Sequence, residues 1–98
     1  MKERSDEMEI TSTALLAAAE YHQRKCSLYG AMADNNRRAF ERRQLDQSLT
    51  KPENIEVTEQ CRASSDNYAR LAEWHRAVWY ACENAANAEN QALTHERQ

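Results

Sequence analysis

From residue 57 onward, apolar and small side chains return every seventh position. Positions 57, 64, 71, 78 and 85 read Val, Ser, Leu, Val, Ala, and positions 61, 68, 75 and 82 read Cys, Tyr, His, Cys. Ala72, Trp79, Ala86 and Leu93 widen the stripe. A heptad sustained this long predicts a helix packed left-handed against another helix.

The first half of the chain carries a matching stripe: Ala14, Leu15, Ala18, His22, Cys26, Tyr29, Met32, Ala33, Asn36 and Phe40. Glu20, Lys25, Asp34, Arg38 and Glu41 fall on the opposite side. Past Phe40 the stripe weakens, because Leu45 and Leu49 leave its face. Thr11-Ser12-Thr13 offers N-caps for this helix. Thr50-Lys51-Pro52-Glu53 has the form of a capping box with Pro in the first turn. The pattern therefore predicts an all-α antiparallel two-helix hairpin, with long helices over about 12–48 and 52–94. It forms a single helical domain over residues 1–98, with flexible tails at 1–10 and 95–98. Gly30, Asn35-Asn36 and Ser64-Ser65-Asp66 are candidate breaks that would give three or four shorter helices.

Folding the chain at Pro52 sets a register. His22 then faces Cys82, Tyr29 faces His75, and Asn36 faces Tyr68. These six residues form a polar seam in which the Tyr29 hydroxyl satisfies the His75 imidazole. Polar seam residues lower stability but fix register and oligomeric state. A short internal repeat is coherent with this layout: Ala19-Glu20-Tyr21-His22 returns as Ala72-Glu73-Trp74-His75.

Composition changes the picture in one respect. The hydrophobic fraction of the 98 residues is 41%, but 16 of those residues are Ala. At roughly 25 cal/mol per Å² of apolar area, so thin a core barely offsets chain entropy. Association is the usual remedy for a small scaffold. The hairpin is therefore expected to pair into a homodimeric four-helix bundle. In layout this resembles the small plasmid RNA-regulating hairpin dimers (Rop type), without a shared motif. One Gly, one Pro, two Val and two Ile argue against a sheet.

Charge and targeting signals narrow the function classes. The net charge of −3 is too small to imply nucleic-acid binding by itself. The longest apolar run, Ala14 to Ala19, is far too short to cross a membrane. The acidic N-terminus lacks a signal-peptide core, and three Cys with no CxxC pair suit a reducing compartment. The expected location is cytoplasmic.

Candidate chemistry is sparse. His22 and Cys26, at i and i+4, could share a metal ion with Cys82, but His75 lies two helical turns from Cys82. A Cys–His nucleophile pair using Cys26 or Cys82 lacks an oxyanion hole or a strained turn. No metal, cofactor or catalytic activity is expected. Arg37, Arg38, Arg42 and Arg43 form a cluster able to meet phosphates, with Phe40 to stack on a base. On the opposing view, Phe40 is core and Glu53, Glu56 and Glu59 neutralise the arginines across the turn. Leu28, Trp74 and Tyr80 lie outside the main seam, and Trp and Tyr are enriched at interface hot spots. The expected function is a non-catalytic protein–protein interaction module, a small regulator or inhibitor of another protein. The alternative is an RNA- or DNA-binding hairpin dimer using the arginine cluster.

Overall fold

The computed structural model describes residues 2–46 and 51–97, with side chains over 11–46 and 51–95. Two helices, α1 (Lys2–Leu45) and α2 (Pro52–Arg97), form an all-α antiparallel hairpin, and the described residues contain no strand. Helix α1 starts at Lys2, not near residue 12. The preceding Lys, Glu, Arg and Met residues are good helix formers uninterrupted by Gly or Pro. Ser12 is consequently an interior residue and not a cap. It is buried, and its hydroxyl donates to Asn90 Oδ1 on α2 at 2.9 Å.

Helix α1 stops at Leu45, short of the expected 48. Arg42 and Arg43 occupy its last turn, where cations oppose the partial negative charge of the helix end. The Asp46 N–H bonds the Arg43 carbonyl at 3.3 Å and tightens that turn. At the start of α2, the Lys51 carbonyl accepts from the Asn54 and Ile55 N–H groups at 2.9 and 3.0 Å. That pattern makes Lys51 the N-cap and Pro52 the first helical residue, where its missing N–H costs nothing. Thr50, the expected cap, and Leu49 lie outside the described residues.

Neither helix breaks at the candidate positions. Gly30 keeps a negative φ within α1. The Asn36 amide donates to the Met32 carbonyl of its own helix at 2.9 Å, so it does not compete with the ladder. Ser65 donates to the Ala33 carbonyl at 2.9 Å and thereby ties α2 to α1.

The chain divides into two compact units, Met1–Lys25 with His75–Gln98, and Cys26–Trp74. In the unit that holds the connection, Cys26, Tyr29, Ala33, Asn36, Phe40 and Arg43 turn away from solvent on α1. Thr58, Cys61, Ser65, Tyr68 and Ala72 do so on α2. The Tyr29 and Tyr68 rings stack with centroids 5.9 Å apart, 14° from parallel. Arg43 Nε donates to Thr58 Oγ1 at 3.1 Å, and that hydroxyl donates in turn to the Asn54 carbonyl at 2.8 Å. In the terminal unit, Ser12, Leu15, Ala19 and His22 of α1 and His75, Trp79, Cys82, Ala86 and Leu93 of α2 turn away from solvent.

The inward α2 series is therefore 58, 65, 72, 79 and 86 together with 61, 68, 75 and 82. The expected 57, 64, 71, 78 and 85 are displaced to the side of the seam: Val57 and Leu71 are each 41% exposed. Adjacent heptad series differ by one residue, and hydrophobicity favours the wrong one. Size decides instead. Ser65, Ala72 and Ala86 let the helix backbones approach, as the expected Ala33 does on α1 together with Ala19, which takes the place of the expected Ala14 and Ala18. Among the described residues, no large side chain is fully buried.

Gly30 offers a direct test of how little α1 depends on its glycine. A Cβ added there meets no atom within 4 Å. Gly30→Ala should stabilise the chain by about 1 kcal/mol, raising the melting temperature by roughly 4–8 °C at fixed protein concentration. Helical circular dichroism during thermal unfolding reads this out; a lower melting temperature would mean that another backbone approaches Gly30.

Candidate functional site

The most specific polar contact in the terminal unit joins two histidines. His22 Nδ1 and His75 Nδ1 lie 2.8 Å apart, with ring centroids separated by 5.0 Å and planes tilted by 34°. One nitrogen must carry a hydrogen and the other a lone pair, so the tautomers are complementary. Tyr21 presents its ring edgewise to both, with centroids 5.1 Å from His22 and 6.4 Å from His75. His75 is buried, and its pKa is lowered first by that burial, then by charge on His22 and on Lys25. All three effects oppose the imidazolium.

This arrangement corrects the expected seam. His22 meets His75, not Cys82. Tyr29 stacks on Tyr68, and Asn36 bonds its own helix instead of Tyr68. His22 and Tyr29 each meet a residue one heptad nearer the connection than expected. The observed pairs centre the hairpin ahead of Pro52, which already belongs to α2. Moving the pivot by half a heptad moves every facing partner by a whole one. The internal repeat carried the missing signal. In an antiparallel pair the equivalent residues of two repeated segments face each other at the axis relating them, and His22 and His75 are equivalents.

The histidines gather no metal-ligand set. Among the described residues, no group of three His, Cys, Asp or Glu could hold an ion. Cys26 is buried, Cys61 and Cys82 are half-buried, and all three thiols are free.

The two flanks of the seam differ in chemistry. If seam positions are labelled a and d, then c and g lie on one side of both antiparallel helices and b and e on the other. In the connection unit, the first flank carries Leu28 and Met32 of α1 and Leu71 and Trp74 of α2. The second carries the ion pairs Arg37–Asp34 at 3.4 Å, Arg62–Glu59 at 2.9 Å and Arg62–Asp66 at 3.2 Å. The terminal unit repeats the division. Tyr21, Val78, Ala81 and Ala85 are on the apolar flank, and Glu20, which pairs with Arg24, is on the other. Exposed pairs of this kind contribute little stability; the other flank is mainly apolar, with Lys25, Arg42 and Glu53 as its charged residues.

The proposed contact residues are exposed but not all on one flank. Leu28 and Trp74, 48% and 57% exposed, share the apolar side. Tyr80, 49% exposed, is on the charged side, with its ring 4.8 Å from that of Trp79. Trp79 turns inward and donates from Nε1 to Glu83 at 2.7 Å. Leu71 was assigned to the seam and instead lies exposed on the apolar flank.

The arginine cluster does not form one surface. Arg43 is half-buried in the seam and engaged with Thr58, and Arg37 is paired with Asp34. Arg38 and Arg42 are exposed on other sides of α1. Neutralisation comes from the same helix through Asp34 and not from across the turn, since Glu59 pairs with Arg62. Phe40 lies in the seam, half-buried. Among the described residues, no helix is long and apolar enough to cross a membrane.

Comparison with known proteins returns no match: no family model, no curated protein and no solved structure is similar to this chain.

The register predicts nuclear Overhauser contacts between the His22 and His75 rings and between the Tyr29 and Tyr68 rings. No contact is expected from the His22 ring to the Cys82 side chain. Cross-peaks from His22 to Cys82, with none to His75, would show the hairpin displaced by a heptad.

Proposed function

We propose that the chain is a non-catalytic protein–protein interaction module. Its hairpin pairs with a second copy into a homodimeric four-helix bundle, and the bundle binds and regulates another protein. The observation that carries this reading is the division of the surface into an ion-paired flank and an apolar flank bearing Leu28, Leu71 and Trp74. Ion pairs gathered on one side and large exposed apolar side chains on the other make the second side the docking surface.

The extent of exposed surface supports a second copy as the first occupant. The chain exposes 7307 Å², against about 5,800 Å² expected for a compact monomer of its mass. The excess, about 1,500 Å², is of the order that one partner surrenders in a generous interface, since standard interfaces take about 800 Å² from each side. Tyr80, on the charged flank, stays available to a different protein. The three free thiols suit the reducing cytosol. The nucleic-acid alternative is left with Arg38 and Arg42, because Arg37 and Arg43 are engaged within the chain.

Light scattering over a dilution series tests the proposal. The unmodified chain should have the mass of a dimer. Trp74→Ala should weaken pairing by about 2 kcal/mol, roughly thirtyfold in dissociation constant, while helix content persists. Tyr80→Ala should leave the mass unchanged. A monomeric unmodified chain, or a Trp74→Ala variant that melts instead of dissociating, would overturn the dimer. Salt-sensitive oligonucleotide binding lost in Arg38→Ala and Arg42→Ala would favour the alternative.

A further inference from the structure

We infer that the second copy meets the apolar flank of the connection unit with its own connection at the same end, about a two-fold axis that runs along the helices. The inference rests on the pairing proposed above and adds the way round in which the copies meet. The seam contacts of this unit fix the level of each flank residue. Tyr29 stacks on Tyr68, and Ser65 reaches the Ala33 carbonyl. Counting outward from these contacts puts Ala39 of α1 level with Val57 of α2. Leu28 with Leu71, and Arg42 with Glu53, are each out of level by only about 3 Å along the axis. Leu28, Val57 and Leu71 are 48%, 41% and 41% exposed. Arg42, in the last turn of α1, and Glu53, in the first turn of α2, are exposed as well.

Two closed arrangements bring this flank against itself. A lengthwise two-fold keeps every residue at its own level and sets α1 of one copy on α2 of the other. Leu28 then meets Leu71 of the second copy, Ala39 meets Val57, and Arg42 meets Glu53. Symmetry makes each contact twice. Apolar side chains meet apolar ones, and the charges that meet are opposite. A crosswise two-fold that overlaps the whole unit sets each helix on its own copy, running the other way. Arg42 then lands on Leu28 of the second copy and Glu53 on Leu71, again twice each. A charge laid against a leucine loses hydration and gains no partner. The charge pattern of the flank therefore selects the lengthwise axis. Arg42 and Glu53 stand near the end of the contact, where opposite charges fix orientation more than they add affinity.

Two charge reversals, Arg42→Glu and Glu53→Arg, test the arrangement by light scattering of the full chain at low salt, each alone and then mixed in equal amounts. Each variant alone brings like charges together at both symmetric contacts. Its dissociation constant should rise about tenfold over that of the unmodified chain. In the mixture, a chain acidic at both positions meets a chain basic at both, so both contacts regain opposite charges. Association should return to within about threefold of the unmodified chain. Any effect of the reversals within one chain is the same before and after mixing, so the recovery reports contacts between copies. Both positions are exposed, and circular dichroism should show unchanged helix content. Variants that pair as tightly as the unmodified chain, or a mixture no more associated than its components, would overturn the lengthwise arrangement and leave the pairing itself standing. An unmodified chain that stays monomeric would remove the pairing and this inference together, and would leave the flank to a different protein.

Discussion

A two-helix hairpin has a single seam, and in this chain small and polar side chains fill it. Everything else in the structure follows from that constraint. Ala19, Ala33, Ala72 and Ala86 keep the helices close, and close helices leave no room between them for the bulkier residues. Val57, Leu71 and Trp74 are displaced to positions beside the seam, where half or more of their surface meets solvent in the most exposed case. A ladder of polar contacts takes the place of a hydrophobic core: Ser12 with Asn90, His22 with His75, Ser65 with Ala33, and Arg43 with Thr58. Each such bond contributes only about 1 kcal/mol, so the ladder specifies register more than it supplies stability.

The same displacement gives the surface its two characters. Apolar residues excluded from the seam collect on one flank, and the other is covered by ion pairs between residues three and four apart. Pairs at these spacings support each helix locally. They also oppose association on that side, because an interface there would have to desolvate them.

The fold class was legible because the signals for it are local: a sequence with one Gly and one Pro, rich in Ala, Glu and Arg, has few alternatives to long helices. The inward face of α1 was legible through His22, Cys26, Tyr29, Ala33, Asn36 and Phe40, which recur at alternating three- and four-residue spacing. On α2 two neighbouring series competed. The more hydrophobic one, with Val57, Leu71 and Val78, looked like the seam, yet close packing selected Ser65, Ala72 and Ala86. Hydrophobicity records what prefers to leave water, whereas the seam is decided by what fits between two backbones. The histidine pair was hidden by a smaller mistake. Pro52 marks where α2 begins and not where the chain reverses, and every facing pair inherits that difference. Ser12 was misread because a serine before an apolar run has the form of a cap, and only the helix-forming residues ahead of it reveal an interior position.

The polar ladder also orders the assembly of the hairpin in time. Arg43 and Thr58 are 15 residues apart in the chain, Ala33 and Ser65 are 32, His22 and His75 are 53, and Ser12 and Asn90 are 78. Loop closure costs more entropy as the separation grows, so the rung beside the connection is the least costly to form first. Each rung then shortens the loop that the next must close. The hairpin zips from its bend toward its ends, a low-barrier route open to helical folds whose first contacts are local. Loosening follows the reverse path and starts at the Ser12–Asn90 rung, the one that closes the longest loop.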